Sequence, residues 1–229
     1  MARYAIIVGT GSGLSAALAR AAAADGMKLV LVARDIAKLA PLVAELGARA
    51  VACDASEAAG VARLFAVAER DFGVPELVVF NASYRARGPI AEIDPVEAEA
   101  ALRNSALAGF LVGQGAARLM LGEGKGSIFF TGATAGVKGF AGSAPFAMGK
   151  FALRGLAQSM ARELGPKGIH VAHFIIDGGI AGTRGARAAN EDDVLLSPQA
   201  IADTYLNIHK QHRSAWTHEI DLRPWNESF

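Results

Sequence analysis

The sequence predicts one α/β domain, a doubly wound (Rossmann) fold with a seven-stranded, mostly parallel sheet and helices on both faces. Three observations predict it. Short β-rich runs alternate with longer helical stretches along the chain, the order that builds a parallel sheet through helical crossovers. The strand-like runs are almost continuously apolar, as strands buried on both faces must be. A glycine-rich turn, Gly9-Thr10-Gly11-Ser12-Gly13, joins the first strand to the first helix.

The elements follow in order. Tyr4–Val8 reads as the first strand and Ser15–Ala24 as an alanine-rich helix. Lys28–Ala33 is the second strand. Asp35–Leu46 reads as a helix with Ile36, Leu39, Val43 and Leu46 on one face. Arg49–Cys53 is the third strand, Glu57–Phe72 a helix and Leu77–Phe80 the fourth strand. Pro95 opens a long helix carrying Leu102, Phe110, Ala117 and Leu121, proline being suited to a first helical turn. Ser127–Thr131 is the fifth strand. Phe146–Leu164 reads as a helix with Leu153, Leu156, Met160 and Leu164 in register, and Ile169–Ile176 as the sixth strand. A loop-rich stretch, Asp177–Asp193, follows. Ser197-Pro198 starts a helix to His209, and His218–Leu222 is the last strand. No linker, charge block or repeat interrupts this order. One domain over residues 1–229 is expected, with a substrate loop at 177–196 and a C-terminal tail at 213–229. The tryptophans Trp216 and Trp225 predict that this tail packs on the sheet edge or on a partner subunit.

Composition narrows the functional classes. The 229 residues are 52% hydrophobic and 20% charged, enough for a core and against disorder. Lys+Arg is 23 and Asp+Glu is 22. That balance argues against a global electrostatic grip on nucleic acid or on an anionic membrane. No apolar run reaches ~18 residues without a charge, so no membrane span is expected. The start shows no signal-peptide pattern, and a cytoplasmic location is expected. Cys53 is the single cysteine, which excludes an internal disulfide and a multi-cysteine metal site; a buried, inert thiol is expected. His209, His212 and His218 lack a completing ligand and read as a surface cluster. His170 and His173 fall on opposite faces of one strand and cannot share an ion. No metal site is expected.

The glycine turn carries the chemistry. Glycines between a strand and a helix let the backbone approach a pyrophosphate, whose charge the helix N-terminus stabilises. Gly9, Gly11, Ser12, Gly13 and Leu14 are the candidates. About 20 residues on, an acid would bind ribose hydroxyls and an arginine a 2′-phosphate. Ala33-Arg34-Asp35 stands there. Arg34 favours NADP(H), with NAD(H) the alternative; Asp35 has a second reading as a helix cap, and Arg34 as a solvated charge.

Read together, these residues resemble the short-chain dehydrogenase/reductase family over residues 4–180. Gly9-x3-Gly13-x-Ser15 is similar to its cofactor turn, with serine for the third glycine. Asp54 stands where the family's acid contacts adenine, and Asn81-Ala82 resembles its motif after the fourth strand. Asn104 corresponds to the helix asparagine of its catalytic set. Phe146-x3-Lys150 occupies the place of the Tyr-x3-Lys motif, so Lys150 is retained and the tyrosine is Phe146. The serine position, thirteen residues earlier, is Ala133. Asp177-Gly178-Gly179 replaces the family's Pro-Gly segment, with Gly178 a cofactor contact. The resemblance implies that Lys150 binds the nicotinamide ribose and that the family's tyrosine hydroxyl passes the proton. Phe146 cannot. Thr134, Tyr84 and Ser143 are the candidate replacement hydroxyls.

The resemblance therefore implies hydride transfer between NADP(H) and a carbonyl or alcohol, with an altered proton donor. The alternative is an inactive nucleotide-binding member acting as sensor or scaffold. The partner is a small-molecule substrate that no motif identifies, although Arg184 and Arg187 of the substrate loop could meet an anion. Small residues on the two long helices, among them Gly109, Gly113, Ala157 and Ala161, suit packing on the sheet or between subunits. The family implies a homodimer or homotetramer through them.

Overall fold

The computed structural model describes residues 3–182 and 194–226. Its strands are β1 (Tyr4–Val8), β2 (Lys28–Ala33), β3 (Arg49–Ala52), β4 (Leu77–Phe80), β5 (Gly126–Thr131), β6 (Ile169–Ile176) and β7 (Glu219–Leu222). They form one sheet in the order β3-β2-β1-β4-β5-β6-β7, and every neighbouring pair is parallel. The strand order reverses between β1 and β4, and that crevice is where such sheets bind ligands.

Alternation along each strand divides the core. Tyr4, Ile6 and Val8 face α3 (Ala58–Phe72), α5 (Ala108–Glu123) and α6 (Ala144–Leu164). Ala5 and Ile7 face α1 (Leu14–Ala24), α2 (Ala40–Leu46) and α7 (Pro198–His209). All eight residues of β6 are buried, as a strand covered on both sides requires.

Some element boundaries differ from the sequence-based expectation. The first helix begins one residue earlier, at Leu14, and the third strand ends at Ala52. The predicted Asp35–Leu46 helix is a tight 3-10 turn, Ala37–Leu39, followed by α2. Its cause is local: the Asp35 carboxylate accepts from the Ala37 amide at 3.0 Å, a turn that competes with a helix start. The long helix from Pro95 comprises α4 (Pro95–Leu102), a π-helical turn at Arg103–Leu107 and α5. Where helices press closest, glycine is required. A Cβ on Gly149 would lie 2.9 Å from Ser105 Cβ and 3.0 Å from the Ala101 carbonyl oxygen. Gly109 and Gly113 face Leu153 and Met160 of α6, so these two small residues serve packing within the subunit. Phe110, Leu121 and Phe151 are exposed.

The C-terminal tail packs on the sheet edge through Trp216 and β7, whereas the Trp225 side chain is exposed. β7 pairs with β6, and the Trp216 ring stacks on His170 at 4.7 Å. His209 departs from the expected surface cluster. Its ring hydrogen-bonds with Ser127 Oγ at 2.8 Å and Glu76 Oε1 at 3.1 Å. Among the described residues, no group of three or more His, Cys, Asp or Glu is placed to hold a metal. No helix there is long and apolar enough to cross a membrane. Cys53 is buried, and burial raises its thiol pKa.

On β6, between β5 and β7, His173 is fully buried. Its Nδ1 is 3.0 Å from Glu219 Oε2, and Arg154 holds the same carboxylate at 2.7 Å. Burial outweighs the Glu219 contact and depresses the His173 pKa from 6.5 to about 4. Between those values the unfolded chain takes up a proton that the folded chain refuses. Stability from this group is therefore present above pH 6.5 and is lost as pH falls toward 4, by about 1.4 kcal/mol per pH unit. Melting temperature measured from pH 7 to 4.5 is expected to fall, and His173→Gln to flatten that slope. An equal slope in the variant would contradict this account.

Candidate functional site

The site begins with Gly9 at the end of β1. Its φ is +84°, and an added Cβ would lie 2.7 Å from the Ala82 amide nitrogen. Both facts demand glycine: the conformation disfavours a side chain, and the β4 loop fills its space. The amides of Gly9 and Thr10 both donate to the Val32 carbonyl, at 3.0 and 2.9 Å. The buried Thr10 hydroxyl donates to the Ile7 carbonyl at 2.8 Å. These bonds hold the turn while Gly11, Ser12 and Gly13 pass to the helix. Gly13 is the N-cap of α1, which has no side-chain cap and no acid in its first turn. Its first amides and its positive dipole end are thus left for an anion.

Ser15, at the position of the missing third glycine, is buried and ties the turn to the neighbouring loop. Asn81 Nδ2 donates to Ser15 Oγ at 2.7 Å, and Ser15 Oγ donates to the Gly9 carbonyl at 3.0 Å. The serine therefore replaces close packing by a bridge between the two cofactor-turn segments, a role that its place in the motif did not disclose.

Two cavities meet at Asn81 and Ser83. The smaller, about 240 Å³, runs from Gly9 and Ala33 past Arg34, Asp54 and Ala82 to Asn104. Ser56 donates to the Asp54 carboxylate from its amide at 2.9 Å and its hydroxyl at 2.8 Å. The amide bond chiefly lowers the Asp54 pKa, with Arg34 and Arg103 adding to it. Arg34 is exposed at the cavity edge. The larger cavity, about 560 Å³, lies over Leu14, Ala133, Phe146, Lys150 and Gly178. A third, of similar volume, opens between Arg3 and Trp216 at the amino ends of β5 and β6, far from the glycine turn.

Lys150 is the buried cation of the larger cavity, only 4% exposed. It shares a face of α6 with Phe146, and its Nζ donates to the Thr131 carbonyl at 2.8 Å. Burial, then the charge of Arg85, lowers its pKa from 10.5 to about 8.

The candidate hydroxyls fare differently from the cofactor-turn residues. Thr134 does not replace the lost serine: its hydroxyl donates to the Asp177 carboxylate, which also binds Arg223 at 3.1 Å. Tyr84 does not reach the cavity, because its hydroxyl donates to Glu97 at 2.7 Å. Ser143 turns back to the Phe140 carbonyl at 3.0 Å. Asn104 lies on the π-helical turn, donates to the Ala100 carbonyl at 2.8 Å and lines the smaller cavity, away from Phe146. In each case a carboxylate or carbonyl nearer the hydroxyl or amide captures it. Arg184 and Arg187 lie outside the described residues. The structure instead brings Arg85 and Arg87 into the larger cavity. Neither was signalled by the sequence, since they stand in an irregular segment without periodicity.

The comparisons agree with this geometry. The family model for short chain dehydrogenase matches residues 3–194. A solved short-chain dehydrogenase from Rhodopseudomonas palustris is 38% identical, with a TM-score of 0.84 over 97% of this chain and 99% of its own. A metagenomic short-chain oxidoreductase solved in complex with NADP is 26% identical, with a TM-score of 0.86 over 98% of each chain. The 3-oxoacyl-[acyl-carrier-protein] reductase MabA of Mycobacterium tuberculosis (strain ATCC 25618 / H37Rv) is 29% identical over 164 residues. That match covers 72% of this chain and 64% of the length of the mycobacterial protein. With the parallel seven-stranded sheet, the glycine turn at its crevice and the family match over most of its length, this chain belongs to the short-chain dehydrogenase family.

Proposed function

We propose that this chain is an NADP(H)-linked oxidoreductase acting on a carbonyl/alcohol pair, with a proton-transfer group unlike the usual one of its family. The observation that carries the reading is the Gly9 turn, closed against Ala82 and opening on an uncapped helix end, beside a cavity floored by buried Lys150. A dinucleotide fits this arrangement: the crevice is continuous through Asn81 and Ser83 from Arg34 to Lys150. When bound, the nicotinamide ring supplies or accepts the hydride.

The chain's own residues do the rest. The turn and the α1 amides hold the pyrophosphate. Arg34 pairs with the 2′-phosphate, Asp54 faces the adenine, and Lys150 holds the nicotinamide ribose. NADP in the related oxidoreductase supports the choice of the phosphorylated cofactor. Phe146 and Ala133 bring no hydroxyl. Of the described residues lining the larger cavity, Lys150 alone titrates near neutral pH. Lys150, whose Nζ is anchored on the Thr131 carbonyl at the floor of this cavity, is the candidate to hand on the proton in place of the missing hydroxyl.

Calorimetric titration with NADPH and NADH tests this. NADPH is expected to bind in the micromolar range and about 10-fold or more tighter than NADH, the worth of one charge-assisted contact. Arg34→Ala is expected to remove the difference. Binding of neither nucleotide would overturn the proposal.

A further inference from the structure

The larger cavity is lined by three cations, Arg85, Arg87 and Lys150, and among its described lining residues there is no Asp or Glu. Some arginines elsewhere in the chain are paired with acids. Arg3, Arg20, Arg103 and Arg154 each hold a carboxylate at 2.6–2.8 Å. Arg85 and Arg87 form no ion pair and no side-chain hydrogen bond among the described residues. The acid that follows β6, Asp177, is already held by Thr134 and Arg223.

Arg85 is nonetheless in a defined place. Its guanidinium carbon sits 4.5 Å from the centroid of the Phe146 ring, and Lys150 Nζ is 5.9 Å from the same centroid. An arginine over an aromatic face is held by cation–π attraction while its edge N–H donors stay available. Arg85 and Arg87 are both exposed at the cavity mouth, and like charges gathered there repel one another through a solvent-screened interaction. Partial desolvation of Arg85 and its repulsion by Arg87 both disfavour its charge. An anion entering the cavity relieves that repulsion and satisfies the fork.

We propose that the substrate is a carbonyl compound bearing a carboxylate, and that Arg85, seated on Phe146, and Arg87 bind this carboxylate. This rests on the larger cavity being the substrate cavity. It gives Phe146 a function of its own, as the platform for Arg85. The planar guanidinium fork matches a carboxylate in two parallel hydrogen bonds. The other anion source is the cofactor's pyrophosphate, which the uncapped end of α1 already serves.

The test uses 4-carboxybenzaldehyde and its methyl ester, two probes that differ in charge at one end. Each is titrated calorimetrically into the full chain saturated with NADP⁺, which has no hydride to give to an aldehyde. The acid is expected to bind at least ~10-fold tighter than the ester, and Arg85→Ala with Arg87→Ala to bring the two within ~2-fold. NADPH affinity of the double variant is expected to stay within ~2-fold of the native chain. Neither arginine forms an ion pair or a side-chain hydrogen bond among the described residues, and the Arg85 contact with Phe146 lies at the cavity rather than in the core, so the variant is expected to fold. Should it not, Arg87→Gln, which leaves that contact in place, is expected to narrow the gap. Equal affinities in the native chain overturn the proposal. So does an acid preference that survives both substitutions, or no binding of the acid. A fall in NADPH affinity of the double variant assigns the guanidinium groups to the cofactor and overturns it too. Should the native chain bind no NADPH, the cofactor assignment fails by itself. The same pair titrated into the cofactor-free chain then decides: an arginine-dependent acid preference upholds the anion site, and its absence removes it.

Discussion

Phe146→Tyr combined with Ala133→Ser is expected to raise NADPH-dependent reduction of simple aldehydes by ~10²–10⁴-fold, the usual contribution of a positioned general acid. Both positions line the larger cavity, and Phe146 is only 6% exposed on a rigid helix face. A phenol hydroxyl there would extend from the ring that Arg85 and Lys150 already flank. Two nearby cations favour the phenolate and bring its proton within reach of neutral pH. Ala133 is extended at the end of β5, so a serine hydroxyl at this position would add a donor for the substrate oxygen. The measurement is kcat/KM for native and double-variant protein with one aldehyde at fixed NADPH. An unchanged value would mean that proton delivery through Lys150 or water already suffices. It would also mean that the missing hydroxyls limit nothing.

Gly9→Ala is expected to be the most damaging single substitution at the cofactor turn. The new Cβ would sit 2.7 Å from the Ala82 nitrogen and 2.8 Å from its Cα. These are backbone atoms, held by the Asn81–Ser15–Gly9 bridge, and they cannot swing aside as a side chain would. Left-handed strain adds to the overlap, and a loss of about 2–4 kcal/mol follows. NADPH affinity is expected to fall by more than ~100-fold as the turn is pushed out of shape. Gly11→Ala is the control for stability. Nothing lies within 4 Å of its added Cβ and its φ is not positive, so its melting temperature is expected to stay near native. Equal destabilisation by both substitutions would show that the turn tolerates no side chain anywhere, and that the Ala82 contact is not the cause.

Much of this protein was legible in its sequence because the relevant signals are local. Strand and helix order, and with it a doubly wound sheet, follows from apolar runs whose periodicity survives without any knowledge of neighbours. The glycine turn is likewise a local demand: Gly9 needs a conformation that other residues avoid. Phe146 and Lys150 share a face simply because four residues make one helical turn. Asp35 shows the limit even at short range, since its carboxylate claims the Ala37 amide and turns a predicted helix start into a 3-10 turn.

What the tertiary structure alone decided is which polar groups are free. By sequence, Thr134, Tyr84 and Ser143 were all plausible replacements for a lost hydroxyl, and Arg85 was one arginine among many. Ser143 is spent locally, on the Phe140 carbonyl three residues back, but the others are settled by partners farther along the chain. Asp177 takes Thr134, 43 residues away, and Glu97 takes Tyr84. Arg85 comes to rest on a ring some 60 residues later, from a different element. The physical reason is that a hydrogen-bonding group is spent or available according to what stands within about 3 Å of it in space. Residue type and spacing determine where the chain turns and which faces are buried. Only the packed sheet, by bringing the ends of β4, β5 and β6 together, determined that the described lining of the cavity above Lys150 carries three cations and no acid.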